Sequence, residues 1–352
     1  MGGVADSESR AVGGLPAERG SVAARRRADP LLATAPPARR LLLIEVPGPW
    51  GRAGLAGSRL DPQVTRPLAE AADEAGVRVQ LIRRPGRHAG PRRPGAIAGA
   101  GRHAWALACP DDAVVRWGHW TDERDLLGID LTERLDRAVH SASGPQRLAL
   151  VCTHAKHDVC CAVRGRPVAA AVAAGTDRQT WETSHLGGDR FAANLLLLPE
   201  GEVFGSLDEG SAPDAAARLD GGRLTLPHYR GRVGRPPVQQ AAVHLAAAAL
   251  DDDRLGAVRI RSVRALAEGG PDGDRWEVLV DHEPEPVGGR RRAYRLVLAG
   301  WWSEPDLLSC TAVAAKPARR YDLLAMDPET IDDPQQSDVI RHSEGMVAWP
   351  SG

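Results

Sequence analysis

Three of the five cysteines of this 352-residue chain, and two of its eleven histidines, fall within ten consecutive residues, Cys152 to Cys161 (CTHAKHDVCC). Sulfur and imidazole donors crowded this closely suit four kinds of chemistry: a disulfide, a reactive thiol, zinc, or an iron–sulfur cluster. A CxxC redox pair is excluded, because no two cysteines have two residues between them. An odd number of cysteines, two of them adjacent, makes a poor disulfide framework. Cys160 or Cys161 as a nucleophile has Lys156, His154 and His157 for a positive setting, but no second motif elsewhere to work with. Structural zinc sites pair ligands about two to four residues apart. Cys152 and Cys161 have eight residues between them, a wide loop after a strand.

A second run bears on the first. In Trp181–Phe191 (WETSHLGGDRF), His185 is followed by Gly187 and Gly188, then by Asp189. Glycines beside a histidine at a strand end let main chain approach a cofactor closely, and taken alone they equally make a tight turn with an aspartate cap. Joined to the earlier run, the pattern is Cys-x8-Cys-x23-His-x3-Asp. Trp181 and Phe191 flank the site and are read as core. Cys109 and Cys310 stand in strand-like surroundings and are also read as core residues.

The elements that must position these donors follow from apolar runs and their punctuation. Leu41–Val46 is a strand closed by the turn residues PGPWGR; a helix over 62–75, a strand Val77–Ile82, a loop over 84–102, strands HAWALAC and VVRWGHW, and a helix near 124–140 follow. Arg147–Cys152 opens a second unit as a strand, and the cysteine run is the loop leaving it. The next helix lies in GRPVAAAVAAG, with Pro167 in its first turn and Gly175 as its stop. Strands QTWETS, NLLLLP and EVFGSL and a helix APDAAARL complete an order compatible with a thioredoxin-like unit. A helix over 238–250 and strands AVRIRSV, WEVLVD and YRLVLAG form a small third unit. The fold class is therefore α/β: a thioredoxin-like unit preceded by an α/β unit and followed by a small α+β unit. The boundaries are a disordered tail over 1–40, units over 41–142, 143–250 and 251–327, and a polar tail over 328–352.

Composition narrows the function classes. A net charge of −1 gives no broad electrostatic case for nucleic acid or an anionic membrane. Lysine occurs only at Lys156 and Lys316, and interspersed acidic residues dilute the arginine that replaces it. No apolar run reaches the roughly 18 residues of a spanning helix, and the N-terminal region lacks the apolar core of a signal peptide. A cytoplasmic protein with reduced thiols is predicted.

The chain resembles the sucrase/ferredoxin-like family of thioredoxin-like ferredoxins. EVPGPWGR (45–52), VCTHAKHDVCCA (151–162), GRPVAAAV (165–172), WETSHLGGDRFAANLLLLPEGEVFG (181–205), YRGRVGRPPVQQAA (229–242) and LLSCTAVAAKPARRYDL (307–323) carry the resemblance, across roughly residues 41–325. It implies a [2Fe-2S] cluster, with Cys152 and Cys161 as thiolate ligands and His185 as the first imidazole. Where the family's eukaryotic pattern has a second histidine, this chain has Asp189. Asp189 is predicted to ligate directly, with Cys160, His154 or His157 as substitutes. Nothing supports the sucrase half of the name: no carboxylate pair with a glycosidase's separation can be located. The implied function is one-electron transfer between a reductase and an acceptor, by a carrier rather than an enzyme. A structural zinc protein using the same ligands and a thiol-dependent enzyme are the rival readings.

Overall fold

Apolar runs closed by turn residues become the strands, and aspartate or proline opens the long helices. The computed structural model describes residues 20–86, 101–270, 273–284 and 291–329. α1 (Gly20–Arg26) leads to β1 (Arg40–Glu45), whose four central residues are buried. α2 (Pro62–Glu74) starts where the Asp61 carboxylate accepts the Gln63 N–H and Pro62 occupies a position that needs no amide partner. β2 (Val77–Arg83), β3 (His103–Cys109), β4 (Val114–Trp120) and the one-turn α3 (Arg137–His140) complete the first half.

The second half repeats the plan. β5 (Leu148–Cys152) runs into α4 (Val159–Gly175), followed by β6 (Gln179–Thr183), β7 (Leu195–Leu198), β8 (Glu202–Phe204), α5 (Ser211–Asp220) and β9 (Tyr229–Arg232). In the first half β1 and β2 are parallel around α2, β3 lies antiparallel to β1, and β4 antiparallel to β3. In the second, β5 and β6 are parallel around α4, β7 lies antiparallel to β5, and β8 antiparallel to β7. The corresponding edge strands β2 and β6 then pair antiparallel through Ile82–Thr183 and Arg83–Glu182 alone. One mixed nine-stranded sheet results, in the order β4-β3-β1-β2-β6-β5-β7-β8-β9.

Alternation along the strands sorts their side chains into layers. Leu42 and Ile44 pack under Val64, Leu68 and Ala72 of α2. Ala149 and Val151 pack under Val168, Ala169 and Val172 of α4. The opposite faces, with Leu41 and Leu43 from one half and Leu148, Leu150, Leu196 and Leu198 from the other, share one core. The helices thus lie outside and the two halves meet through their inner sheet faces. Beyond β9, α6 (Pro237–Ala249) sets Ala241, Ala242 and Ala246 against Val278, Val280, Leu296 and Leu298. Those residues belong to a separate antiparallel sheet of β10 (Val258–Gly270), β11 (Gly273–His282), β12 (Arg292–Trp302) and β13 (Arg319–Glu329), in that order.

The structure departs from the sequence reading at several places. The tail predicted over 1–40 is ordered from Gly20 onward. Arg25 donates to the Ala192 carbonyl, Arg230 donates to Thr34, and the Ala35 N–H reaches Gln240. These partners are remote in sequence, so composition does not reveal them; residues 1–19 lie outside the described residues. The helix predicted near 124–140 is broken into a 3-10 turn at Glu123–Gly128 and α3. Asp122, Asp130 and Asp136 each bond the backbone N–H two residues on and restart the chain. α4 begins at Val159, so Cys160 and Cys161 stand in a helical first turn rather than a loop, and Pro167 sits inside the helix. β9 and β13 are additional strands. Cys310 is buried in the β12–β13 connection and not in a strand. Most of the predicted 84–102 loop and 328–352 tail lies outside the described residues.

Candidate metal centre

Each donor is fixed by the end of an element. Cys152 closes β5, its N–H bonded to the Asn194 carbonyl. Gly165 lets α4 cross that strand end, because a Cβ there would come within 2.1 Å of the Cys152 carbonyl oxygen. The Asp158 carboxylate caps α4 by accepting the Cys160 N–H at 2.8 Å, which places Cys161 one step inside the helix and over Cys152. His185 follows β6, its carbonyl accepting from Arg78 at 2.8 Å and Gln80 at 3.3 Å. Gly187 and Gly188 take left-handed conformations, and the chain turns back at Asp189–Phe191 so that Asp189 faces His185.

Two donor groups share His185. Ligand atoms of Cys152, Cys161 and His185 lie within 4.8 Å of one another, and so do those of His157, His185 and Asp189. Asp189 Oδ1 is 2.9 Å from His185 Nδ1 and 3.4 Å from Cys161 Sγ. Nδ1 is nonetheless buried with no aligned hydrogen-bond partner among the described residues. The short distance and the poor alignment are reconciled if imidazole and carboxylate both aim at a common point beside them. That is how two ligands of one metal stand, and the donor types fit a metal of borderline softness.

The structure separates the possible fourth donors. His154 has both ring nitrogens engaged: Nε2 donates to the Gly51 carbonyl at 2.8 Å and Nδ1 accepts the His185 N–H at 3.2 Å. Burial holds it below the usual histidine range, in keeping with a neutral ring. Cys160 points away, toward Cys310. His157 is near: its ring stacks on His185 at 3.8 Å and its Nε2 is 3.7 Å from Asp189 Oδ2. Asp189 and His157 therefore stand beside the Cys152–Cys161–His185 group, while His154 and Cys160 do not.

Without a metal the donors share protons unevenly. The hydrogen bond from Cys161 outweighs burial and, with His185, pulls the Cys152 thiol well below its ordinary value. Cys161 is pushed far up by that same bond, by burial and by the neighbouring negative charges. Burial opposes a charged His185, yet Asp189 and Cys152 overcome it and lift the imidazole to about 9. Burial likewise opposes a charged Asp189, but His185 holds the carboxyl below its usual range. Protons on Cys161 and His185 must leave when a metal takes their place.

Arg230 is the principal residue that the sequence reading missed. Its guanidinium is fully buried and donates to the Gly187 carbonyl, the Asn194 side chain and Thr34, all neutral acceptors. Burial lowers it to about 9. It clamps the loop between His185 and Asp189 and places a positive charge behind the donors. On the other side, a cavity of about 640 Å³ opens beside His185, lined also by Arg52, Arg78, Gln80 and His157. The thiols are within 1 % of full burial, whereas the His185 and Asp189 side chains are 20 % and 10 % exposed, so the imidazole is the most exposed of the four. Trp181 and Phe191 are both buried in the core.

A family model described as sucrase/ferredoxin-like matches residues 31–231. The chain belongs to the sucrase/ferredoxin-like family. The match runs from the segment before β1 into β9, so it takes in both halves of the nine-stranded sheet and the whole donor cluster of this sucrase/ferredoxin-like chain. It ends before α6 and the four-stranded sheet. No curated protein and no solved structure matches the sequence.

Proposed function

We propose that the chain is a one-electron carrier whose [2Fe-2S] cluster is held by Cys152, Cys161, His185 and Asp189. The observation that carries this reading is the convergence of two buried sulfurs, an imidazole and a carboxylate from β5, α4 and the turn after β6. Bound there, the cluster would supply one-electron chemistry, at a potential above that of an all-thiolate site because imidazole is neutral. The chain's own residues do the rest. Cys152 and Cys161 keep the sulfur side dry, His185 presents the rim, and the buried guanidinium of Arg230 favours negative charge nearby. The repeated strand–helix–strand order of β5–β8 supports a thioredoxin-like reading of the second unit. A reductase and an acceptor protein are the partners such a carrier requires, meeting it at the His185 rim; neither nucleic acid nor membrane is needed. Five free cysteines suit the reducing cytoplasm.

A single zinc is the second reading, since Cys152, Cys161 and His185 are three mutually close donors with Asp189 beside two of them. A thiol enzyme is less well supported, because Cys160 and Cys161 are both buried. Anaerobically purified protein decides among them. The cluster reading requires visible colour with about two irons and two sulfides per chain, lost in Cys152→Ser, Cys161→Ser and His185→Ala. A colourless protein with one zinc per chain would overturn it.

A further inference from the structure

Cys160 turns from the donor cluster toward a different partner. Its Sγ lies 3.0 Å from the Sγ of Cys310, 150 residues away in the β12–β13 connection. One carboxylate anchors both residues: Asp158 Oδ1 accepts the Cys160 N–H at 2.8 Å, and Asp158 Oδ2 accepts the Cys310 N–H at 2.7 Å. The Gly20 N–H, at the start of α1, points at the Cys310 sulfur from 3.3 Å. Ala192 and Val159 close the surroundings, and both sulfurs are buried. Three remote segments thus converge on two touching thiols.

Two sulfurs and a carboxylate this close can share a hydrogen, as the thiols do here, or else a metal or a covalent S–S bond. A metal is the poorer occupant. Asp158 has each oxygen committed to a backbone amide, and a closed structural site takes about four ligands. A bond needs the sulfurs to approach by only about 1 Å, and the backbone on both sides is already held by the same side chain.

We propose that Cys160 and Cys310 form a reversible disulfide, with a small peroxide as the oxidant. Cys160 is 1 % and Cys310 6 % exposed, which excludes a bulky disulfide reagent and calls for an oxidant scarcely larger than water. One thiol attacks the peroxide: the O–O bond breaks, the sulfur becomes a sulfenic acid, and water or an alcohol leaves. The second thiol displaces the sulfenic oxygen as water, and the S–S bond forms. Two electrons and two protons pass from the thiols to the peroxide. Burial, with the neighbouring Cys160 sulfur, lifts the Cys310 thiol to about 12, so Cys310 rests protonated. The bond staples the β12–β13 connection to the first turn of α4, one residue before Cys161. Oxidation of the C-terminal sheet is thereby felt at the helix that carries a donor of the metal centre.

The pair does not depend on what the neighbouring centre binds, so the test reads thiols rather than metal. Full-length protein as purified is treated with stoichiometric hydrogen peroxide, alkylated under denaturing conditions and digested. The expected result is loss of two alkylatable thiols and a cross-linked peptide pair containing Cys160 and Cys310, both reversed by dithiothreitol. Cys160→Ser and Cys310→Ser should each lack the cross-link, and the wild-type peptide map stands whether or not they fold. Unchanged thiol counts overturn the proposal, as does a Cys152–Cys161 cross-link in place of the expected one. Metal content that falls in Cys160→Ser and Cys310→Ser but survives in Cys152→Ser would overturn it in favour of a metal at the pair.

Discussion

His157 and Asp189 contend for one place beside His185, and the distances favour the carboxylate. Asp189 reaches both His185 and Cys161, whereas the His157 ring lies stacked on His185 and contacts only the far oxygen of Asp189. Asp189→Ala should therefore lose most of its metal on desalting while His157→Ala retains it; the opposite pattern, read by metal assay, would exchange their roles. Gly188 gives a second test. Its φ is +74°, and a Cβ there would meet the Arg230 guanidinium at 2.4 Å. Gly188→Ala should cost about 1–3 kcal/mol in urea unfolding. The residues that the fold brings together around His185 stand out in the sequence, because cysteine is scarce and the spacing is unusual. Arg230 and Asp158 do not. One more arginine in a chain whose cations are nearly all arginine carries no signal, and an aspartate ahead of a helix announces a cap but not the second amide it holds 152 residues away.

Among the elements, β8 and β9 carry a titratable pair inside the sheet. The Tyr229 hydroxyl donates to Glu202 Oε2 at 2.6 Å, and burial, only partly offset by Tyr229 and Arg232, raises the Glu202 carboxyl to about 7. The folded state therefore holds a proton that the unfolded chain releases near its ordinary value of about 4.3. Glu202 favours folding fully below that value, and the contribution is lost as pH rises through about 7. The stability of wild type relative to Glu202→Gln should fall by roughly 3 kcal/mol between pH 4.5 and 7.5 and then level off. A difference that stays constant over that range would show an ordinary carboxylate. Elements with clean apolar runs, such as β1, α2 and β3, were readable in advance. β9, with the sequence YRGR, offers no alternation, because its buried positions include Arg230 and glycine. β13 mixes charges with apolar residues and contains Pro328, which its edge position tolerates.

At the scale of the molecule, the centre draws donors from β5, α4 and the turn after β6, so a metal there ties together three segments of the second half. Stripping it with a chelator should lower the melting temperature and expose the 153–191 region to hydrogen exchange, with β10–β13 unaffected. Uniform exposure of the whole chain would instead mean that both sheets unfold as one unit. Nothing in the sequence announces that β2 and β6 pair, since strand pairing across about 100 residues leaves no local pattern.

That junction has the form of a symmetric dimer interface written into one chain. The connection after β1 and the connection after β5 are counterparts, and they face each other. The second leads from Cys152 to Cys161. The first, Pro47–Arg52, supplies the Gly51 carbonyl to His154, the Arg52 carbonyl at 3.4 Å from His157, and the edge of Trp50 against His154. Two equivalent loops have taken unequal trades, one as the hand that holds and the other as the vice that steadies it. A homodimer cannot divide labour in this way, because any change to one loop is made to both. A tandem chain can alter its steadying loop alone, and with it the set of the histidines, while every donor stays in place.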